Sequence, residues 1–245
     1  MDRDLPSTSV SRTLRDLALE RSDRLHVLME FGLDACCGGG RTLAEACAEA
    51  KLDPSVVLDA LRRLDADTPV PATFDAARAT TEALLTHVLD QHHAYLRREL
   101  PRLAALADKV AAAHGARHPE TIELKNEFRE FAIELELHMQ KEEIVLFPTI
   151  AGLARGGGRI HHCGIDGPIA AMRYEHERAG DAIHRFRRGT NGYRAPSDAC
   201  ATWRAWVDGL RALEADLLEH MHEENNVLFP RAFALAAALH SPSGA

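Results

Sequence analysis

Hydrophobic residues near the start of the chain recur three or four positions apart, which is the spacing of one helical face. Thr13-Leu-Arg-Asp16 has the form of a capping box, in which a threonine side chain covers free backbone N–H groups at a helix start. The apolar stripe that follows consists of Leu14, Leu17, Leu25, Leu28 and Met29. The pattern predicts one helix from residue 13 to about 31, ended by Gly32.

Two shorter helices are predicted after a turn that is rich in cysteine and glycine, Asp34-Ala-Cys36-Cys37-Gly38-Gly39-Gly40. Thr42-Leu-Ala-Glu45 has the capping pattern again, and Asp53-Pro54 places a proline where the first turn of a helix tolerates it. These signals predict one helix from the Thr42 cap to about residue 50 and another over about 55–65. We therefore expect a small helical domain over residues 1–70.

The remaining chain predicts a four-helix bundle over residues 76–240, after a proline-containing linker at 71–75. Short connections between its helices make neighbours antiparallel. Pro101 predicts a kink or a restart in the first helix. The four expected helices cover about 76–113, 120–151, 168–189 and 197–238, with Ser197 as the cap of the last.

One motif occurs twice in this region. The copies read His138-Met-Gln-Lys-Glu142-Glu-Ile-Val-Leu-Phe-Pro148 and His220-Met-His-Glu-Glu224-Asn-Asn-Val-Leu-Phe-Pro230. In each copy a histidine and a glutamate stand four residues apart, so that both lie on one helical face. An isolated pair of this kind is typical of a solvated helix surface, but two copies in matching frames favour a metal site.

Each copy also has a histidine upstream at nearly the same distance. His93 precedes His138 by 45 residues, and His176 precedes His220 by 44. The repeat predicts two helical hairpins of similar plan, with each helix directing ligand groups to the bundle centre. The candidate ligands are His93, His138, Glu142, His176, His220 and Glu224.

This ligand set favours a pair of metal ions. If each glutamate bridges, each metal receives two imidazoles and two carboxylate oxygens, and a solvent oxo or hydroxo bridge adds a fifth ligand. Mixed ligation at higher coordination suits iron or manganese better than zinc. We expect two iron ions in a non-haem di-iron centre. Such a centre can bind or reduce oxygen or nitric oxide, or hold labile iron. The ligand residues alone are compatible with each of these activities.

Other polar residues near the candidate ligands are not predicted to bind metal. His92 adjoins His93, and the spacing of the repeat favours His93 as the one that faces the centre. Glu134 and Asp216 each lie four residues before a candidate ligand, so they are predicted to hold the second nitrogen of that imidazole. The alternative is that both are ordinary surface acids. His161-His162-Cys163 is predicted to be a solvated loop.

Composition excludes several classes of function. The formal charge of −8 without a Lys/Arg cluster argues against a nucleic-acid partner. No apolar run approaches the roughly 18 residues that span a membrane, and the polar N-terminus lacks a secretion signal. Five cysteines, including an adjacent pair, are typical of a reducing cytoplasm rather than of a disulfide framework.

Cys36 and Cys37 are candidate reactive thiols. A glycine turn before a helix N-terminus, with Arg41 nearby, is expected to expose them and to lower a thiol pKa. Inert buried cysteines are the alternative. Exposed cysteines would also allow a homodimer. Cys47, Cys163 and Cys200 are isolated along the chain, so a structural role suffices for them.

The order of these motifs, from about residue 13 to 232, closely resembles the iron-sulfur cluster repair di-iron proteins. That family joins a small cysteine-bearing domain to a hemerythrin-like bundle, and the resemblance implies an all-α fold and the same six ligands. Two features depart from the family: Ala35 stands where the family commonly has tyrosine before the two cysteines, and the His161-His162-Cys163 stretch is unfamiliar.

The resemblance implies repair of iron-sulfur clusters damaged by nitrosative or oxidative stress, by iron donation, by reduction of nitric oxide, or by both. The implied partners are damaged iron-sulfur proteins and diatomic ligands, with Cys36 and Cys37 serving transfer or partner contact. The alternative function is a hemerythrin-like module that binds or senses oxygen or nitric oxide without turnover. A metal-free helical interaction protein would require that the matching spacing of the candidate ligands in the two motif copies had arisen by chance.

Overall fold

The computed structural model describes residues 9–67, 74–157 and 164–240. Within these ranges every regular element is a helix, and a single β-bridge joins Thr13 to Thr42. The all-α prediction is confirmed. Most of the predicted linker and the whole His161-His162-Cys163 stretch lie outside the described residues.

Residues 9–67 contain four helices, where the sequence predicts three. The first predicted helix is wrong as a single element because Arg21 adopts an extended backbone, with φ of −154°. The Arg21 side chain binds Asp23 through Nε at 3.0 Å, and Arg24 binds Asp65 at 2.7 Å. Gly32, with φ of +72°, ends the second helix as predicted. The helices are α1 (Leu14–Glu20), α2 (Arg24–Glu30), α3 (Leu43–Ala50) and α4 (Pro54–Asp67).

The capping box that starts α3 is confirmed. The Thr42 side chain accepts a hydrogen bond from the N–H of Glu45, and the Glu45 side chain accepts one from the N–H of Thr42 at 2.8 Å. At α1, the Thr13 side chain accepts from the N–H of Asp16. Both helices therefore begin where the sequence places their threonine caps.

The long C-terminal helices contain π-helical segments, which the sequence does not predict. Pro101 lies inside a continuous helix, so of the predicted kink or restart the restart is wrong, and the last predicted bundle helix begins at Ala201 rather than after a Ser197 cap. In chain order the elements are α5 (Thr81–His87), π1 (Val88–His93), α6 (Ala94–His114), α7 (Glu120–Lys141), π2 (Glu142–Leu146), α8 (Phe147–Ala154), α9 (Asp166–Gly189), α10 (Ala201–Glu223), π3 (Glu224–Leu228) and α11 (Phe229–His240).

Contacts divide the chain into two compact units. Unit 1 contains the described residues of Met1–Ala79 together with Leu218–Pro230, and unit 2 contains those of Thr80–Leu217 and Arg231–Ala245. Within unit 2, α6 packs on α7, α7 packs on α9, and α5 packs on α8. None of the helices in the described ranges combines the length and apolar character that crossing a membrane requires.

Aromatic rings fill part of the core of unit 2. Phe128 is fully buried, and its ring centroid lies 6.1 Å from that of Phe131 and 5.8 Å from that of Phe186. Phe128 and Phe131 belong to α7, while Phe186 belongs to α9. This cluster therefore fixes α7 against α9, the two helices that carry His138 and His176.

Candidate metal centre

Each π-helical segment begins or ends at a candidate ligand. π1 ends at His93, π2 begins at Glu142 and π3 begins at Glu224. A π turn places one extra residue in an α-helix and is frequent at functional sites. The repeated motif is thus repeated in structure as well, because its glutamate opens a π segment in both copies.

Glu142 connects two histidines in unit 2. Its side chain is fully buried, with one oxygen 3.3 Å from Nε2 of His93 and the other 3.4 Å from Nε2 of His138. The two histidines come from different helical segments, π1 and α7. A carboxylate that offers one oxygen to each of two imidazoles has the arrangement of a bridging ligand.

His176 joins this group from α9. Its Nε2 atom lies 3.1 Å from Nε2 of His138, and the candidate ligand atoms of His138, Glu142 and His176 all lie within 4.8 Å of one another. Unit 2 therefore brings together four of the candidate ligands, His93, His138, Glu142 and His176.

The second copy of the motif has the same local geometry within unit 1. His220 and Glu224 are both buried, and Nε2 of His220 lies 3.2 Å from an oxygen of Glu224. The corresponding distance in the first copy, from His138 to Glu142, is 3.4 Å. The two copies thus present an imidazole and a carboxylate in the same way.

Two further carboxylates hold the outer nitrogens of the histidines. Nδ1 of His93 lies 2.7 Å from Glu143, and Nδ1 of His138 lies 2.9 Å from Glu175. The hydrogen bond from His138, with help from Lys141, lowers the pKa of Glu175 to about 2. Burial alone would raise the pKa of Glu143, but hydrogen bonds from Arg97 and His93 lower it overall.

These carboxylates fix the tautomers of the rings. An ionised carboxylate only accepts hydrogen bonds, so Nδ1 of His93 and of His138 must carry the hydrogen. In the neutral ring each Nε2 then presents a lone pair toward the oxygens of Glu142. Electron pairs that converge at this range repel one another unless a cation lies among them. The donor set therefore fits a bound metal ion, and nitrogen and oxygen donors fit iron.

The predicted partners of the imidazoles are wrong. Glu134 is exposed and pairs with Arg178, while Asp216 binds Nδ1 of His92 at 2.9 Å. Residues four positions apart share a helical face, but the acid that reaches the outer nitrogen of His138 comes from the neighbouring helix α9. The missed residues have one signal in common: Glu143 and Glu175 each adjoin a candidate ligand in the sequence.

Phe147, in the Leu-Phe-Pro ending of the first motif copy, contacts a candidate ligand. Its ring stacks on the ring of His93, with centroids 5.6 Å apart and planes at 25°. Phe147 is the first residue of α8, directly after π2. The apolar end of the motif thus shields one side of the His93 imidazole.

The cysteine turn in unit 1 differs from its prediction. Asp34 accepts hydrogen bonds from the backbone N–H groups of Cys36 and Cys37 at 2.8 and 2.9 Å. Cys36 is buried, its S–H donates to the carbonyl oxygen of Leu218 at 3.1 Å, and burial raises its pKa well above the ordinary value. The expected exposure and lowered pKa are therefore wrong for Cys36, and Cys37 is the more accessible of the pair.

Asn225 and Asn226 of the second motif copy contact this turn. Asn226 donates to the carbonyl oxygen of Ala35 at 3.0 Å and accepts from Arg15 at 3.0 Å. The side-chain nitrogen of Asn225 lies 3.7 Å from the sulfur of Cys37. These asparagines follow Glu224 directly, so π3 joins a candidate ligand to the cysteine turn.

Family comparisons agree with the geometry. A family model described as the Hemerythrin HHE cation binding domain matches residues 84–232, and one described as a domain of unknown function, DUF542, matches residues 10–65. The fold and the buried histidines and glutamates thus define a hemerythrin-like, cation-binding helical bundle that follows a small helical domain. This confirms the predicted architecture.

Curated relatives align along nearly the full length. The iron-sulfur cluster repair protein YtfE of Musicola paradisiaca (strain Ech703) is 35% identical over 222 residues, which cover 90% of this chain and 96% of the relative. YtfE of Escherichia coli O157:H7 is 36% identical over 221 residues, with the same coverage of both chains. The chain belongs to the family of iron-sulfur cluster repair proteins, as the order of its motifs predicts.

Proposed function

We propose that this protein repairs damaged iron-sulfur clusters through two iron ions held by His93, His138, Glu142, His176, His220 and Glu224. The observation that carries the proposal is the position of Glu142, whose oxygens face Nε2 of two histidines. Glu224 would supply the second bridging carboxylate, because it occupies the same place in the second motif copy. When bound, the iron would offer open coordination positions for nitric oxide or oxygen and a store of releasable metal.

The surrounding residues would prepare the site for iron. Glu143 and Glu175 hold His93 and His138 with Nε2 directed inward, so the rings need no reorientation when metal binds. Phe147 covers the His93 ring. Full burial of Glu142 strengthens its attraction for a cation.

The repair function is favoured over simple ligand binding by the extent of the family match. The relatives named as repair proteins align over 90% of this chain, so they share the cysteine-bearing part as well as the bundle. Cys37 would serve metal transfer or client contact, since it is more accessible than Cys36. We propose iron-sulfur proteins of the cytoplasm as clients, and iron donation or nitric oxide reduction as the activity.

The first test compares iron content and Mössbauer spectra of the wild type and a Glu142→Ala/Glu224→Ala variant. We expect about two antiferromagnetically coupled iron ions per chain in the wild type and their loss in the variant. A matched control, Glu134→Ala, removes a carboxylate that pairs with Arg178 and should retain iron. Iron that persists without both glutamates would refute the ligand assignment.

The second test separates the two activities. Protein loaded with iron-57 is incubated anaerobically with a nitric-oxide-damaged iron-sulfur protein, and the label in the client is measured. Nitrous oxide is measured in parallel after nitric oxide and a reductant are added. Label in a reactivated client supports donation, nitrous oxide production supports reduction, and failure of both in iron-loaded protein would refute repair.

A further inference from the structure

Cys200 and His114 form a contact in unit 2 that the proposed metal chemistry does not use. Cys200 is exposed and directly precedes α10, while His114 is the last residue of α6. Nε2 of His114 lies 3.2 Å from the sulfur of Cys200. Cys200 is isolated along the chain, but folding brings it into contact with a residue that lies 86 positions away.

The imidazole of His114 is buried and directed at this sulfur. Only 7% of the residue is exposed, and its ring lies 4.9 Å from that of Trp203. Among the described residues, Nδ1 of His114 has no hydrogen-bonding partner, which leaves Cys200 as the partner of the ring. Buried polar atoms normally have hydrogen-bonding partners. A buried imidazole whose one hydrogen-bonding partner is a sulfur therefore indicates a chemical role.

The start of α10 adds a second source of stabilisation for a thiolate. The carbonyl oxygen of Cys200 accepts from the N–H of Arg204 at 3.1 Å, which makes Cys200 the cap of a helix that is 23 residues long. Backbone N–H groups of Trp203 and Thr202 also act on the sulfur. The hydrogen bond with His114, followed by these N–H groups, lowers the pKa of Cys200 to about 7.

Nearby charges are arranged so that they do not oppose a thiolate. Asp198, two residues before Cys200, lies 3.0 Å from Nε2 of His118, whose other ring nitrogen lies 2.9 Å from Glu120. Arg204 donates to the carbonyl oxygen of Ala199 at 2.8 Å. The carboxylate of Asp198 is thus paired with an imidazole, and a guanidinium lies on the same turn as the sulfur.

We propose that Cys200 and His114 form a reactive thiol site that undergoes thiol–disulfide exchange with small soluble disulfides such as oxidised glutathione. His114 takes the thiol proton at Nε2, and the sulfur of Cys200 attacks one sulfur of the disulfide. A new S–S bond forms as the old one breaks, and the leaving thiolate departs with the bonding electron pair and takes up the proton. Cys200 is oxidised and the small disulfide is reduced.

This site is independent of the proposed metal centre. α6 starts directly after His93 and ends at His114, and a helix of its 21 residues is about 30 Å long. Modification of Cys200 is therefore expected to leave iron content unchanged. Failure of either proposal can be recognised without the other.

The test uses the reduced, full-length protein and oxidised glutathione as the probe. Intact mass and peptide mapping follow which cysteine is modified first between pH 5 and 9, after correction for the probe. We expect one glutathione adduct on Cys200, with a rate that is half-maximal near pH 7, and no early adduct in Cys200→Ser. Faster modification of Cys37 or Cys47, or a half-maximal rate near the ordinary thiol pKa of about 8.5, would overturn the proposal.

A His114→Gln variant tests the part played by the imidazole. Loss of the ring should move the half-maximal pH upward and slow the reaction by up to about sixfold at pH 6, since the smaller thiolate fraction outweighs the greater nucleophilicity. His184→Gln is the control, because this histidine of α9 is not among the groups that act on the sulfur of Cys200. An unchanged pH profile in a folded His114→Gln protein would refute the role of His114. The wild-type profile decides the proposal if that variant does not fold.

Discussion

Glu175 of α9 accepts a hydrogen bond from Nδ1 of His138 in α7 at 2.9 Å, while Lys141 binds its other oxygen. This carboxylate fixes the ring so that Nε2 faces Glu142. A candidate ligand on α7 is therefore oriented by a carboxylate on α9, the helix that packs against it.

Replacing Glu175 with glutamine should weaken iron binding about 10- to 100-fold, because the ring of His138 loses its charged acceptor. Iron affinity can be measured by competition with a chelator of known strength. Glu134→Gln is the control, since Glu134 pairs with Arg178 on the protein surface and should bind iron as the wild type does. Equal affinities for the two variants would contradict the orienting role of Glu175.

Replacing Phe128 with alanine should lower the free energy of unfolding by about 3–5 kcal/mol, because the change leaves a cavity beside Phe131 and Phe186. Denaturant unfolding of the metal-free protein measures the difference. Ile133→Ala, on the same helix at a position that is 63% exposed, should change the value by about 0.5 kcal/mol or less. A loss below about 1 kcal/mol at Phe128 would show that the ring cluster is not a packed core.

Two helical glycines should respond in opposite directions to alanine. A Cβ atom at Gly209 would lie 2.3 Å from a methyl group of Leu103, so Gly209→Ala should destabilise the protein by about 1–3 kcal/mol. A Cβ atom at Gly180 would meet nothing within 4 Å, so Gly180→Ala should stabilise α9 by up to about 1 kcal/mol. Thermal midpoints of the two variants provide the comparison, and a gain in stability at Gly209 would contradict the close contact.

The pKa of His118 should lie above its ordinary value, because Asp198 and then Glu120 favour the imidazolium. This pairing supports the folded state at pH values below the unfolded pKa and is lost as the pH rises through the folded pKa. Titration followed by NMR should show that Asp198→Asn lowers the pKa of His118 more than Glu120→Gln does. The reverse order would show that Glu120 is the stronger partner.

Cys37 should react with iodoacetamide faster than Cys36, on the order of tenfold or more, because Cys36 is buried and its pKa is raised. Labelling of Cys36→Ser and Cys37→Ser proteins separates the two thiols. Both should react alike in denaturant. Faster labelling of Cys36 in the native protein would indicate that the turn opens.

Local signals in the sequence predict much of this structure. Thr13 and Thr42 mark the starts of their helices because capping depends on residues three positions away. The two motif copies locate Glu142 and Glu224 because a ligand pair four residues apart is a property of one helix. These predictions succeed where the deciding contact lies within about one helical turn.

Contacts between distant parts of the chain could not be predicted from one sequence. Glu175 of α9 contacts His138 of α7. Asp65 forms an ion pair with Arg21, the residue at which the predicted first helix is interrupted. The buried environment of Cys36 depends on Leu218, which is 182 residues away. In each case the sequence shows a residue of suitable chemistry but not the neighbour that determines its role.

The extra residue in π2 determines the direction in which the side chains after it point around the helix axis. An α-helix turns by about 100° per residue, so winding the same residues between Glu142 and Phe147 as a regular α-helix would rotate the side chains after Glu142 by about that angle. The ring of Phe147 would then leave the face of His93, although every ligand remained in the chain. The wide turn of π2 is therefore as necessary to the contact between these two rings as the residues that form it.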